Sequence, residues 1–502
     1  VKKMMNKSVV VIGGGPAGLC SAIEVAKAGG EVLVIDENHK AGGQLFKQIH
    51  KFFGSKEHKA GMRGIYIGEM LLKEAEDLGI EIWLNTEVVG LNANKEVWVI
   101  QNKKKSLTVQ GERIIIATGA QENPINFPGW TLPGVMGAGA AQTMMNIHRV
   151  RPGNKVLMVG SGNVGVIVSY QLIQTGIEVA GIIDVGEKAG GYEVHMAKLR
   201  RAGVPFYPRH TIKRALGSTC VEGAEIVEVD EHFKPIEGSE KILDVDTICL
   251  ATGFTPLGEL AWMAGCAFLY NPSLGGHIPV HDENMETSIK GIYVAGDITG
   301  IEEASIAMEE GRMAGLAVAW SLGLYEKEEY IKYAASVKNR LSQLRHNIHE
   351  GKSQKSMVLP SKERLLKGAV AIVECTQEIP CNPCEASCPR HAIMIGDQIS
   401  NTPKIDYEKC IGCGLCVPAC PGQAITLRDY IFSEEEVALS IPYEFLPLPK
   451  KGENVMAVNK DGQAVCPAKV VRVVQSPKYE GTAVVTISYP RKFFYEVASI
   501  KI

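Results

Sequence analysis

The chain has 502 residues, of which 45% are hydrophobic and 22% charged, and a net charge of −3 at pH 7. That length suits about three or four globular domains with substantial cores. The near-neutral balance gives no basis for nucleic acid or an anionic membrane as partner, and no apolar stretch reaches the roughly 18 residues of a spanning helix. The opening residues 1–8 are short and polar and lead straight into a core strand, so no secretory signal is read. Its 13 cysteines are therefore expected to be reduced thiols or metal ligands in a cytoplasmic protein.

Residues 9–12, Val-Val-Val-Ile, form an apolar run suited to a buried parallel strand. It feeds Gly13-Gly-Gly15-Pro-Ala-Gly18, a helical pattern through Ala22, Ile23 and Ala26, and a second strand at 32–35 ending in Asp36 and Glu37. This is a complete dinucleotide fingerprint in its strand–turn–helix–strand setting. Gly13 permits the tight turn, Gly15 lets backbone approach a pyrophosphate, and Gly18 allows close helix–strand packing. The helix N-terminus offers unpaired N–H groups to the phosphates, and Asp36 is placed to bind the adenosine ribose. Lys103-Lys-Lys105 reads as a solvated hairpin turn.

The same grammar returns at Val156-Leu-Met-Val159, Gly160-Ser-Gly162-Asn-Val-Gly165, a helix through Ile173 and a strand at 179–183 ending in Asp184. An acid there favours an unphosphorylated ribose, and no arginine follows closely to hold a 2′-phosphate. NAD, or another adenine nucleotide such as ATP, is the expected ligand. Residues 114–120, with Gly119, and 247–254 read as strand-plus-glycine returns between the two units. Gly291-Ile-Tyr-Val-Ala-Gly296-Asp297 precedes an apolar-faced helix carrying Glu310-Gly-Arg312-Met-Ala-Gly315. Read on its own, Asp297 is an N-cap for that helix.

Eight cysteines fall between Cys375 and Cys420. Cys410-Ile-Gly-Cys413-Gly-Leu-Cys416-Val-Pro-Ala-Cys420-Pro is the bacterial ferredoxin run, in which three thiolates hold one cubane and the fourth ligates another. Cys381-Asn-Pro-Cys384-Glu-Ala-Ser-Cys388-Pro keeps the last three thiols of that pattern. Glu378 stands where its leading cysteine belongs, and Cys375 lies three residues upstream. The expected ligand sets are Cys375, Cys381, Cys384 and Cys420 for one 4Fe-4S cluster, and Cys388, Cys410, Cys413 and Cys416 for the other. The tails Cys388-Pro-Arg-His-Ala-Ile and Cys420-Pro-Gly-Gln-Ala-Ile mark an internal repeat. Zinc sites favour more widely separated pairs. The remaining cysteines, Cys20, Cys220, Cys249, Cys266 and Cys466, stand among apolar neighbours and read as ordinary buried thiols.

Together, the Gly13, Gly15 and Gly18 turn, Gly42-Gly43-Gln44, Gly119 and Gly296-Asp297 resemble the two-dinucleotide-domain flavoproteins of the disulfide-reductase type. The resemblance implies FAD at the first site, with Asp297 a flavin contact. Asp36-Glu37, Ala41-Gly-Gly-Gln44, residues 156–165, Ile183-Asp184 and Ala189-Gly-Gly-Tyr192 resemble the alpha subunits of multimeric amine and amino-acid dehydrogenases. Sarcosine oxidase, dye-linked proline dehydrogenase and hydrogen cyanide synthase are of this kind. This likeness covers about residues 1–345. It implies substrate oxidation on a separate amine-oxidising flavoprotein subunit, with FMN between subunits and a small iron–sulfur subunit in some members. The two-cluster ferredoxin unit departs from the smaller iron–sulfur appendage common there. No C-x-x-C pair lies in either nucleotide unit, which argues against disulfide reduction.

The expected architecture is α/β. A split FAD domain (1–120 and 245–325) encloses an NAD-type domain (121–244). A polar, helix-prone linker (326–366), a ferredoxin-like domain (367–430) and a small β module (431–502) follow. In that module, runs at 470–474, 482–489 and 493–497 read as strands, separated by turns at Lys460-Asp-Gly462 and Tyr479-Glu-Gly481. None of His148, His195, His277 and His281 stands at a known catalytic spacing from a Ser, Cys or carboxylate, and no catalytic side chain is assigned. The reading is an electron-transfer subunit of an amino-acid or amine dehydrogenase, with ferredoxin or NAD as acceptor. The rivals are a self-contained NAD(P)H:acceptor oxidoreductase and a non-enzymatic scaffold.

Overall fold

The computed structural model describes residues 4–346 and 357–502. It comprises two compact units, one of Val1–Ile49, Arg63–Glu122 and Gly253–His346, the other of His50–Met62, Asn123–Thr252 and Asn347–Ile502. Among the described residues no helix is long and apolar enough to cross a membrane.

The first unit is built on a sheet in the order Glu81–Trp83, Val32–Ile35, Met4–Ile12, Lys105–Ile116, Glu96–Gln101, Thr86–Leu91. Its centre is parallel, with Val10 opposite Leu33 on one side and Ile114 on the other; both faces are covered, which explains the unbroken apolar runs. Ile292–Val294 adds a further parallel pairing to Lys105–Ile116. The hairpin at 102–104 turns through Asn102 (φ 52°) and Lys103 (φ 55°). Helices Pro16–Lys27 and Ala304–Ser321 cross backbone against backbone. A Cβ at Gly311 would lie 2.2 Å from the Ala17 carbonyl, and one at Gly315 would lie 2.4 Å from that of Ser21.

The expected linker departs from this picture at its start. Lys327–Arg345 is a helix whose Tyr330, Ala334, Val337, Leu341 and Leu344 are buried in the first unit's core. Those positions recur at helical spacing, but the intervening lysines and glutamates dilute the signal. Gly351, within the same expected linker, lies outside the described residues.

In the second unit, five parallel strands run in the order Phe206–Pro208, Glu178–Asp184, Lys155–Val159, Thr247–Leu250, Val135–Gly137. A seven-stranded antiparallel sheet follows the order Val370–Val373, Ile425–Asp429, Glu436–Tyr443, Ala483–Pro490, Ala464–Val474, Asn454–Val458, Ser499–Ile500. The ferredoxin-like segment thus supplies the first two strands of the sheet that the C-terminal segment completes. One core joins Val156 and Leu172 to Val370, Leu439 and Ile487. Of the five scattered cysteines expected to be buried, Cys20, Cys249, Cys266 and Cys466 are, whereas Cys220 is exposed. The run at 493–497 is not a strand: Arg491–Phe493 is a 3-10 helix, and Phe494 and Val497 are buried behind it. Residues 50–62 join this unit through a parallel bridge between Gly54 and Cys381.

Candidate cofactor sites

The two glycine turns share one backbone geometry. Gly13 (φ 102°) and Gly160 (φ 101°) sit where a Cβ would lie 2.2 Å from the carbonyl oxygens of Ala117 and Ala251 respectively. Gly18 and Gly165 face the carbonyls of Gly13 and Gly160, where a Cβ would approach to 1.8 and 2.1 Å. These four glycines are required by the protein's own backbone. Gly15 and Gly162 are different. A Cβ at Gly15 would meet only the Gly43 Cα at 4.0 Å, and one at Gly162 nothing within 4 Å. Each caps a helix, Pro16–Lys27 or Asn163–Gln174, with ordinary extended backbone. Internal packing gives no reason for glycine there, whereas close approach of a pyrophosphate to the helix N-terminus does. Both turns therefore fit a dinucleotide.

The acids at the ends of the second strands brace these turns. Asp36, 5% exposed, accepts the Gly14 N–H at Oδ2 (2.8 Å) and the Asn38 N–H at Oδ1 (2.8 Å). Asp184 accepts the Ser161 N–H (2.8 Å) and the Gly186 N–H (2.9 Å). Glu37 and Gln44 are exposed beside the first turn, and Gly43 (φ 54°) packs on Gly15. Gly119 (φ 73°) accepts the Leu257 N–H at its carbonyl, 2.9 Å away. Near Asp184 the fold places an arginine invisible at sequence range. The Arg209 N–H donates to the Gly186 carbonyl (3.0 Å), and its guanidinium pairs with Glu187.

Gly296 and Asp297 follow Ile292–Val294 at the edge of the same sheet. Asp297 opens a 3-10 helix, Asp297–Thr299, capped by Gly296, and the long helix begins at Ala304 with Glu303 as its cap. The N-cap role for Asp297 is therefore not realised. Its neighbour in chemistry is Glu310, 2% exposed, to which the sequence alone assigns no role. Glu310 accepts the Gly296 N–H (2.8 Å) and the Thr299 hydroxyl (2.9 Å) and pairs with Arg345. Burial, reinforced by the Glu310 charge, pushes the Asp297 carboxyl up to about 7.

A raised carboxyl favours the fold when protonated, so its contribution is lost as pH climbs from about 4 towards 7. The flavin-free wild type should therefore lose on the order of 2 kcal/mol more stability between pH 5 and 7 than Asp297→Asn. Parallel pH profiles in denaturant titrations would contradict this.

The eight clustered thiols surround two separate hollows. Cys388, Cys410, Cys413 and Cys416 line one of about 360 Å³, with Ala371, Ile393 and Leu427 among its walls. Cys375, Cys381, Cys384 and Cys420 line the other, of about 430 Å³, walled by Phe53, Val194, Val373, Ile379 and Ile425. Glu378 is not among the lining residues. Among the described residues no three His, Cys, Asp or Glu converge as for a single metal ion. Thiols spread round a hollow suit a polynuclear cluster better than zinc. Burial pushes Cys375 and Cys416 up to about 12, so these thiols need a positive centre to become ligands.

The internal repeat has a structural counterpart in the two Cys-Pro turns. The His391 N–H donates to the Cys388 carbonyl and the Gln423 N–H to that of Cys420, each at 3.1 Å, with His391 (φ 48°) and Gln423 (φ 52°) left-handed. Ala392 and Ala424 then donate N–H to the sulfurs of Cys388 (3.2 Å) and Cys420 (3.4 Å). Two buried cations outside the motifs hold the loops. Arg364 donates to the carbonyls of Tyr407 (2.7 Å) and Cys410 (2.5 Å). Lys51 donates to those of Pro418 (2.5 Å) and Tyr479 (2.7 Å).

A flavin-type turn in one unit, its duplicate in the other and an iron–sulfur module define an FAD-dependent oxidoreductase of the two-dinucleotide-domain class. The chain belongs to the pyridine nucleotide-disulphide oxidoreductase family, whose model matches residues 7–311, and a 4Fe-4S binding domain matches residues 403–426. It is 28% identical over 415 residues to one of the opine oxidase subunits of Agrobacterium tumefaciens (strain Ach5), covering 77% of this chain and 79% of that one. It is 25% identical to hydrogen cyanide synthase subunit HcnB of Pseudomonas protegens, covering 68% and 76% respectively. L-proline dehydrogenase from P. horikoshii shares the fold (TM-score 0.51, 23% identity, 68% of this chain and 60% of that one). Both relatives are named as subunits of an oxidase or a synthase, in keeping with the resemblance read from the sequence.

Proposed function

We propose that this chain is the electron-transfer flavoprotein and iron–sulfur subunit of a multimeric FAD-dependent amino-acid or amine dehydrogenase. A substrate like proline, hydroxyproline or sarcosine is oxidised on a partner flavoprotein subunit. The observation that carries this reading is the pair of four-thiol hollows in a chain that also holds a flavin-type dinucleotide turn. FAD belongs at Gly13, Gly15 and Gly18. NAD, or another adenine nucleotide such as ATP, belongs at Gly160, Gly162 and Gly165, and a 4Fe-4S cluster in each hollow. Flavin can take up electrons as a pair and release them one at a time, and clusters accept them singly, so together they would supply pair-to-single conversion. FMN at a subunit interface, a small iron–sulfur subunit, ferredoxin or NAD as acceptor, and a cytoplasmic setting complete the proposal.

The chain's own residues position and shield these groups. The brace from Asp36 to Gly14 holds the first turn open to phosphate, and the apolar walls of the hollows shield the buried thiols of Cys384 and Cys416 from water, while Cys413 stays exposed. The second dinucleotide turn also favours an alternative, a self-contained NAD(P)H:acceptor oxidoreductase. The anaerobically purified chain should show a flavin spectrum; bleaching by NADH alone, with no amine response from the complex, would favour the alternative. A colourless chain would refute both.

Nucleotide choice is a further test. Asp184 opposes a 2′-phosphate, and Glu187 engages the guanidinium of Arg209 nearby. NADH should therefore reduce the flavin at least tenfold more efficiently than NADPH, a difference of about 1.4 kcal/mol. Glu187→Gln should narrow that gap by releasing Arg209. Equal use of NADPH by the wild type would contradict the assignment.

A further inference from the structure

The second dinucleotide turn and the hollow ringed by Cys375, Cys381, Cys384 and Cys420 are joined by consecutive direct bonds. Asn163, first residue of the helix capped by Gly162, accepts the Tyr192 N–H at Oδ1, 2.8 Å away. Tyr192 caps the helix Glu193–Arg201, and the Glu193 N–H donates to Oε1 of Gln377 at 2.6 Å. Gln377, 7% exposed, lies in the segment that links Cys375 to Cys381.

Two packing contacts run beside these bonds. Val194 lines the hollow and presses on the turn after Cys420, where a Cβ at Gly422 would lie 2.9 Å from its methyl. Phe53 lines the same hollow and meets Tyr192 edge-on at 5.5 Å. The other hollow is different, because all its lining residues lie between Ala371 and Leu427.

We infer that nucleotide bound at the Gly160–Gly165 turn lowers the reduction potential of the cluster held by Cys375, Cys381, Cys384 and Cys420, while the second cluster is unaffected. This rests on the occupancies proposed above. The physical cause is twofold. Phosphate charge arriving at the start of the Asn163 helix opposes the addition of an electron across a path that is half-buried at Asn163 and Glu193 and buried at Tyr192 and Gln377. Hydrogen bonding and solvent access at the sulfurs set cluster potential, and Gln377 controls the loop bearing two of them. Gln377 is thus a positioning residue. By linkage, reducing the cluster weakens nucleotide binding by the same factor. A filled nucleotide site makes this cluster a poorer resting place for electrons and sends them onward.

The test is a potentiometric titration of the complete holoprotein, followed by low-temperature spin resonance, with and without ADP-ribose. That probe carries adenine, ribose and pyrophosphate but no nicotinamide, so it cannot accept hydride. One cluster signal should shift to lower potential by about 59 mV, equivalent to tenfold weaker ADP-ribose binding to the reduced protein. The other should stay in place. Gln377→Leu should keep both signals and the oxidised protein's affinity but lose most of the shift. ADP-ribose that binds by calorimetry without moving either signal, or that moves both equally, would overturn the inference and leave the proposed function standing. A full shift in Gln377→Leu would overturn the role of Gln377. Failure to bind ADP-ribose, or a single cluster signal, would overturn the occupancies and the inference with them.

Discussion

Cys375→Ser should lower the iron content from about eight atoms per chain to about four and remove one of two cluster signals. Cys375 lines the hollow shared with Cys381, Cys384 and Cys420, while Cys388, Cys410, Cys413 and Cys416 line a separate one. The displaced position of Cys375 in the sequence is bridged by a segment anchored at Gln377, so spacing alone does not disqualify it. Loss of that cluster leaves an apolar hollow without its filling, and the second unit should become less stable as well. Iron analysis with spin resonance on anaerobically prepared protein decides. Retention of eight irons would remove Cys375 from the ligand set.

The contrast between Gly15→Ala and Gly18→Ala should be as large. At Gly18 a Cβ would lie 1.8 Å from the Gly13 carbonyl, so the helix must move off its strand. That should cost about 3 kcal/mol or more. At Gly15 the Cβ finds no protein atom nearer than 4.0 Å, and φ is −74°. The flavin-free Gly15→Ala chain should match wild-type stability to within about 1 kcal/mol, yet lose most of its flavin on gel filtration. Full flavin retention by Gly15→Ala would show that this glycine has no ligand to admit.

The two dinucleotide turns were legible in the sequence because strand, glycines, helix and terminal acid all fall within one short segment and constrain one another. The ferredoxin-like repeat was legible for the same reason: Cys388 and Cys420 carry matching tails, and His391 and Gln423 adopt the same left-handed turn. What escaped depends on partners far along the chain. Lys51 bonds the carbonyl of Pro418, and Arg209 returns to Gly186 only after a strand and a crossover. The helix Lys327–Arg345 hid its apolar stripe among charged residues. The sheet shared by Val370–Val373 and the C-terminal strands could not be read because antiparallel pairing across that distance leaves no local mark. Nothing local to Glu310 marks its bond to the Gly296 N–H, fourteen residues back along the chain.

Under the proposed function, this chain handles electrons that another polypeptide extracts from an amine. The most direct measurement is an anaerobic dye-reduction assay with proline, hydroxyproline and sarcosine, run on the isolated chain and on the complex co-purified with its flavoprotein partner. The isolated chain should reduce dye with NADH at most, and amine-dependent turnover should emerge only with the partner present. Amine oxidation by the isolated chain would contradict the account and place the substrate site at its own flavin.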